Sequence, residues 1–286
     1  MKYGLSCNSL LGHFPTADDM IRLAKEAEEI GFHSLSIGEH ILIPNAFDAS
    51  VYPAGQFDFQ APWYDPLVWL ATIAGATKTI RLGTGVAVVG YRQPIPQAQA
   101  IATLDFMSGG RFFFGAGVGW MREEFDALGV PFPERGQRTD EYLEVMKFLW
   151  SGNDSAFHGK FANFAGGRIN PLPVQKPHPP ILIGGETPSA LRRIARHGDG
   201  FYINWKTLPE FEALLDELAT HMAESGRSVS SLYKQLGASE LHLVQSQKDA
   251  ISQYEAMGLD EIIYSPKCRS VEEGFEAMRK FADELF

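Results

Sequence analysis

Short apolar runs alternate along the chain with longer stretches whose apolar positions recur at helical spacing, and each pair reads as a strand followed by a helix. Lys2–Asn8 reads as the first strand. Thr16 then caps a helix with Asp19 three positions on; Met20, Ile21, Leu23, Ala24, Ala27 and Ile30 form its apolar stripe, and Gly31 ends it. A second strand, Ser34–Glu39, follows at once. After a long segment, Pro66–Thr77 predicts a helix, Ile80–Val89 a strand, Pro96–Met107 a helix and Arg111–Gly115 a fourth strand.

The second half repeats the pattern. A helix near Arg138–Trp150 precedes an inserted segment, Phe157–Pro173, with short strand signals, and then a strand at Pro180–Ile183. Helix Pro188–His197, strand Gly200–Asn204, helix Leu208–Ser225 and strand Leu236–Val244 come next, followed by helix Ala250–Met257, strand Glu261–Ser265 and helix Val271–Leu285. About eight strand–helix units predict an α/β fold, a single (β/α)8 TIM barrel over residues 1–286, with insertions after the second strand and before the fifth. A doubly wound sheet of this length would use fewer strands or a second domain.

Composition narrows the partners. Of 286 residues, 45% are hydrophobic and 21% charged, as in an ordinary globular protein, and the formal net charge of −10 argues against nucleic acid. Cys7 and Cys268, far apart, match no metal or redox spacing and suit a reducing compartment. The N-terminus MKYGLSCN lacks the apolar core of a signal peptide and no apolar stretch reaches membrane-spanning length, so the expectation is a cytoplasmic protein without a membrane partner. The histidines show no spacing suited to a metal, so no metal site is expected.

Residues 104–120, LDFMSGGRFFFGAGVGW, place Gly115, Gly117 and Gly119 at a strand end. A dinucleotide fingerprint needs a different glycine spacing, the first strand of the sheet, and an acidic residue about twenty positions on. All three are absent. Two readings remain: backbone N–H groups at a helix start that hold an anion, or a tight turn leaving a buried strand.

Glu39 and His40 fall at a strand's C-terminal end, the face where barrel enzymes place catalytic side chains. His40 is the candidate for proton handling near neutral pH. Glu39 either orients His40 or contacts a cofactor edge, or else serves as an ion-pair partner. Ile41–Tyr64 is long for a strand–helix loop and carries Phe47, Tyr52, Phe57, Phe59, Trp63 and Tyr64, which suits a lid over a substrate pocket, a small satellite core or a contact between copies.

The stretch LDFMSGGRFFFGAGVGW, followed by EEFDALGVPF, RGQRTDEY, PVQKPHPPILIGG and ALRRIARHGDGF, resembles the bacterial luciferase-like flavin oxidoreductases over nearly the whole chain. RLGTGV on the third strand and the acidic-His pair after the second bring it nearest to the branch described as coenzyme F420-dependent oxidoreductases. The resemblance implies a ring at the C-terminal mouth of a TIM barrel, with the cofactor phosphate on Gly117, Val118 and Gly119 and on Gly184, Gly185, Glu186 and Thr187. It also implies a non-proline cis peptide at Gly85–Val86 supporting the ring, where the residues alone allow a plain β-bulge.

Trp120 stands where sugar-phosphate dehydrogenases of this kind carry a glutamate, which points away from phosphorylated sugars and toward an apolar wall; packing at a helix start is the other reading. Trp120, Tyr52, Trp63 and Tyr64 are the candidate substrate-pocket residues. Three functions follow from the resemblance. The first is hydride transfer between coenzyme F420 and an organic, apolar small molecule; the second is an FMN-dependent monooxygenase using reduced flavin and O2; the third is a cofactor-binding protein without catalysis. A homodimer is implied as well.

Overall fold

The computed structural model describes residues 1–13, 16–45, 61–239 and 248–286. Strand β1 (Lys2–Ser6), helix α1 (Ala17–Ile30), β2 (Ser34–Ile37), α2 (Pro66–Ala76), β3 (Arg81–Thr84), β4 (Ala87–Val88), α3 (Pro94–Met107) and β5 (Phe112–Gly117) make the first half. The second half contains α4 (Arg122–Ala127), α5 (Arg135–Trp150), a hairpin of β6 (Phe157–His158) and β7 (Asn163–Phe164), then β8 (Ile181–Gly184), α6 (Pro188–His197), β9 (Gly200–Asn204) and α7 (Leu208–Glu224). Strand β10 (Tyr233–Ser239), α8 (Lys248–Ala256), β11 (Glu261–Ser265) and α9 (Val271–Leu285) finish the chain.

Strands β1, β2, β3, β5, β8, β9, β10 and β11 pair in parallel in that order, and β11 returns to β1 to close a (β/α)8 TIM barrel. Strands covered on both sides need apolar residues throughout, and all six residues of β5 are buried. The helices start where the sequence supplies a cap. Asp65 Oδ1 accepts the N–H groups of Leu67 and Val68 ahead of Pro66, Thr187 accepts from Ala190 ahead of Pro188, and Thr207 with Glu210 forms a capping box.

Several elements begin or end one to three residues from the sequence expectation, and three differences stand out. The third strand is interrupted: β3 ends at Thr84 and β4 resumes at Ala87, with a cis peptide between Gly85 and Val86 instead of a plain bulge. Helix α4 starts just after the glycine array, where a helix start is expected, but it has only six residues, too few for an apolar period to show its extent. Strand β10 starts at Tyr233 instead of Leu236, and the expected continuation through Val244 lies outside the described residues. The insertion before β8 is the β6–β7 hairpin, held because Glu141 accepts the N–H groups of Lys160, Phe161 and Ala162 at 2.6–2.8 Å.

The N-terminal end of the barrel is a floor of hydrogen bonds. Glu261 accepts from Ser34 Oγ (2.6 Å), Gln235 Nε2 (2.7 Å) and Tyr233 Oη (2.9 Å). A cavity of about 370 Å³ opens there, lined by Arg81, Asp199, Asp260 and Glu261 among others. None of the candidate site residues lines it. No described helix is long and apolar enough to cross a membrane, and among the described residues no three His, Cys, Asp or Glu side chains cluster so as to hold a metal ion.

Candidate active site

Strand β2 delivers Gly38, Glu39 and His40 to the C-terminal mouth. The Gly38 N–H donates to Asn8 Oδ1 at 2.6 Å, which ties the exits of β1 and β2 together. His40 then turns away from the strand toward α4, and its Nδ1 lies 2.8 Å from Glu124 Oε2. The side chain of Glu124 is fully buried, and its other contacts are the N–H groups of Ile41 (2.6 Å) and Leu42 (3.2 Å) and the hydroxyl of Tyr91 (2.7 Å). Burial works against the charge, but these hydrogen bonds and the imidazole outweigh it and hold the Glu124 carboxyl below the usual carboxylate range.

Two indoles flank the imidazole edge-on. The Trp63 ring centroid is 4.6 Å from that of His40 and the Trp120 centroid 5.6 Å, with interplanar angles of 73° and 83°. Trp63 is half-buried against the core, whereas Trp120 is 45% exposed, as are Ile41 (44%) and Leu42 (50%), so apolar surface lies around His40. Tyr64 packs against the core from its partly buried position. Tyr52, with Phe47, Phe57 and Phe59, lies outside the described residues.

Glu39, expected to act beside His40, faces the other way. One carboxylate oxygen accepts the Val88 N–H at 2.7 Å and the other pairs with Arg92 Nη1, while Arg92 Nη2 reaches Asp65 Oδ2 at 2.7 Å. Burial pushes the Glu39 carboxyl up, and the guanidinium and the amide pull against it. Of the readings the sequence left open, the geometry matches the ion-pair partner. Glu39 clamps the exit of β2 to β4 and, through Arg92 and Asp65, to the start of α2.

The glycine array has a packing reason at each position. The carbonyl of Thr84 occupies the space of a side chain at Gly115, and a Cβ on Gly117 would lie 2.6 Å from a Val86 methyl group. Gly119 turns with φ +78° under Val88 and Phe125, both 2.7 Å from where a Cβ would sit. Gly117 is therefore buried under Val86, and only Val118 and Gly119 of that loop retain partial exposure.

The second loop is different. Gly117 and Gly184 fall side by side, since β5 and β8 pair with Ala116 opposite Ile183. From there the chain opens outward: Gly185 has φ +102°, and Gly185, Glu186 and Thr187 are exposed at the start of α6. Lys206, after β9, lies 2.5 Å from Glu186 across this loop. Beneath the mouth, Tyr202 is half-buried as a residue, desolvation raises its hydroxyl to about 12, and a Cβ at Gly85 would lie 2.9 Å from both its ring and Ser36 Oγ.

Sequence reasoning singled out His40, Trp63 and Trp120, which the fold brings together, and missed Glu124, Tyr91 and Arg92. The one local signal for Glu124 is an acid beside Phe125 directly after the array. Arg138 donates to Tyr142 (3.1 Å) and Glu134 (3.0 Å) on and beside its own helix.

The profile of the family described as Luciferase-like monooxygenase matches residues 2–284. An uncharacterised protein of Mycobacterium tuberculosis is 32% identical over 271 residues, covering 92% of each chain. An FMNH(2)-dependent dimethylsulfone monooxygenase of Pseudomonas putida is 29% identical over 160 residues, 55% of this chain and 44% of that protein. In fold, the chain is similar to an F420-dependent secondary alcohol dehydrogenase in complex with an F420-acetone adduct, with TM-score 0.78, 17% identity, and 99% and 98% of the two chains covered.

Proposed function

The chain belongs to the luciferase-like monooxygenase family, and from that premise we propose that it is a coenzyme F420-dependent oxidoreductase moving a hydride to or from an organic, apolar small molecule. The observation that carries this reading is the polar centre set in an apolar rim: His40, held by Glu124, among Trp63, Trp120, Ile41 and Leu42. A hydride arriving at or leaving a carbonyl or alcohol carbon must be balanced by a proton on oxygen, and an imidazole at the mouth can hold that proton. The contact of His40 with Glu124 weighs against a protein that only stores cofactor.

The residues present fit a phosphate-bearing ring cofactor. Exposed backbone at Gly185, Glu186 and Thr187 at the start of α6 suits a phosphate group, with Lys206 beside it. Gly85 and Val86 would back the ring, with Val86 filling the space over Gly117 and Gly184. When bound, such a cofactor supplies the two-electron chemistry. The chain's own part is to seat the phosphate, to keep water from the mouth with Trp63 and Trp120, and to hold or return a proton at His40.

Titration of the purified protein with coenzyme F420 and with FMN, followed by tryptophan fluorescence, tests the reading. Saturable binding of the deazaflavin with none of FMN is the expected result. Saturation by FMN alone, with reduced flavin consuming O2 in the presence of substrate, would replace it with the monooxygenase reading, which the similarity to the dimethylsulfone enzyme supports.

The working form is proposed to be a homodimer through α2 and α3. Across both helices the only charged side chain is Asp105, which is buried, while Val68, Ile95, Phe106 and Met107 are exposed. A chain of net charge −10 repels its own copy except where a face carries no charge. Sedimentation should give a dimer for the wild type and a monomer for Val68→Lys combined with Phe106→Glu. A wild type that stays monomeric at micromolar concentration removes the dimer.

A further inference from the structure

We infer that Glu124 is a positioning residue that fixes which nitrogen of His40 carries the proton and ties that choice to the start of the segment after β2. The inference deepens the reading of His40 as the proton-handling group and rests on it for its functional meaning, but its geometric content stands on the carboxylate alone.

Glu124 has two oxygens and four neighbours that can give hydrogen bonds. Oε1 takes the N–H groups of Ile41 and Leu42, which can only donate. Oε2 takes the Tyr91 hydroxyl and faces His40 Nδ1. A carboxylate with its pKa held low is ionised at neutral pH and can only accept. The proton between Glu124 and His40 therefore belongs to Nδ1, and the lone pair of the neutral ring belongs to Nε2. The atom that can accept or return a proton is then the same in every molecule.

Residues 40, 41 and 42 wrap one carboxylate, so the imidazole and the first two residues of the long segment share an anchor. That segment brings Ile41 and Leu42 to the exposed rim. The backbone of these two residues and the orientation of His40 are set by the same group. A buried carboxylate is costly unless its lone pairs are filled. Here they are filled by parts of the site itself, and none of the four donors comes from a barrel strand.

Glu124→Gln makes a sharp test because the two backbone donors dictate how the new amide sits. Its oxygen must stay with Ile41 and Leu42, so its NH2 group faces His40 Nδ1. A donor then meets a donor, and the ring is driven to carry its lone pair on Nδ1 and its proton on Nε2. Nitrogen-15 NMR of His-labelled protein, recorded without cofactor, reads this directly. The wild type should show His40 protonated at Nδ1, and Glu124→Gln should show it protonated at Nε2.

Single-turnover hydride transfer in Glu124→Gln should fall ~10²-fold, the usual scale of lost general acid–base assistance, with cofactor affinity unchanged. Tyr91→Phe removes one donor and leaves the His40 contact, so it should keep the wild-type tautomer. A wild-type His40 protonated at Nε2 overturns the inference, even if Glu124→Gln does not fold. So does a Glu124→Gln protein whose His40 keeps its proton on Nδ1. Reversal of the tautomer with an unchanged rate would uphold the role of Glu124 and overturn instead the proton-handling role given to His40.

Discussion

The two ends of the barrel use the same device for opposite purposes. At each end a buried carboxylate collects hydrogen bonds, Glu261 at the floor and Glu124 at the mouth. The donors to Glu261 are Ser34, Tyr233 and Gln235, side chains of β2 and β10, so they are fixed by the sheet itself. The donors to Glu124 are an imidazole, a phenol and two loop amides, which belong to connections between elements. A carboxylate bonded only to strands stiffens the barrel. One bonded to loops passes its geometry on to whatever those loops do, and in a barrel the loops at the C-terminal face carry the chemistry.

The comparison breaks most visibly under matched substitutions. Glu261→Gln keeps Tyr233 and Gln235 on the amide oxygen, obliges the Ser34 hydroxyl to accept from the new NH2 group and replaces charge-assisted hydrogen bonds with neutral ones, which should cost about 1 kcal/mol of stability. The urea midpoint should fall while single-turnover rates of the folded protein stay at the wild-type value. The pairing with Glu124→Gln makes this informative, since there the rate falls and the tautomer reverses. A rate loss in Glu261→Gln as large as that in Glu124→Gln would mean that floor and mouth are not separable.

Acid separates the two ends more gently. His197, at the end of α6 on the floor side, is buried, and burial lowers its pKa from 6.5 to about 4. Its unfolded form takes up a proton first, so stability contributed by the neutral ring is complete above pH 6.5 and drains as the pH falls toward 4. The loss should be about 1 kcal/mol by pH 5.5. Glu124 is shifted down, so its contribution survives to the ordinary carboxylate range and is lost only as the pH falls below it. Denaturation curves across this range should therefore show the first decline reduced by His197→Asn, the rest belonging to groups such as His33, which burial also shifts down, and untouched by Glu124→Gln. A first decline of undiminished size in His197→Asn would assign all of it to other groups.

Much of the architecture was legible because its causes are local. Helical spacing, with Thr16 and Asp19 at one end and Gly31 at the other, marks the limits of α1 from a few adjacent residues, and both caps are present. Helix Pro188–His197 and strands Gly200–Asn204 and Glu261–Ser265 came out with their observed limits for that reason. His40 was legible as well, because the end of an apolar run locates a strand's mouth. The reason for the glycine array was not. Its neighbours Thr84, Val86 and Val88 come from one distant strand region and Phe125 from a six-residue helix.

What the sequence by itself determined, then, is the order and kind of the elements, the face on which a site would form, and the presence there of an imidazole among aromatic side chains. Those depend on periods and caps that act over a few residues. Only the closed barrel decided which carboxylate meets which partner. Glu39 stands next to His40 in the chain, yet it turns to Arg92, while Glu124, 84 positions away, receives the imidazole. Adjacent residues leaving a strand point in different directions, and a contact between α4 and the exit of β2 exists only once the sheet has closed and fixed the distance between them.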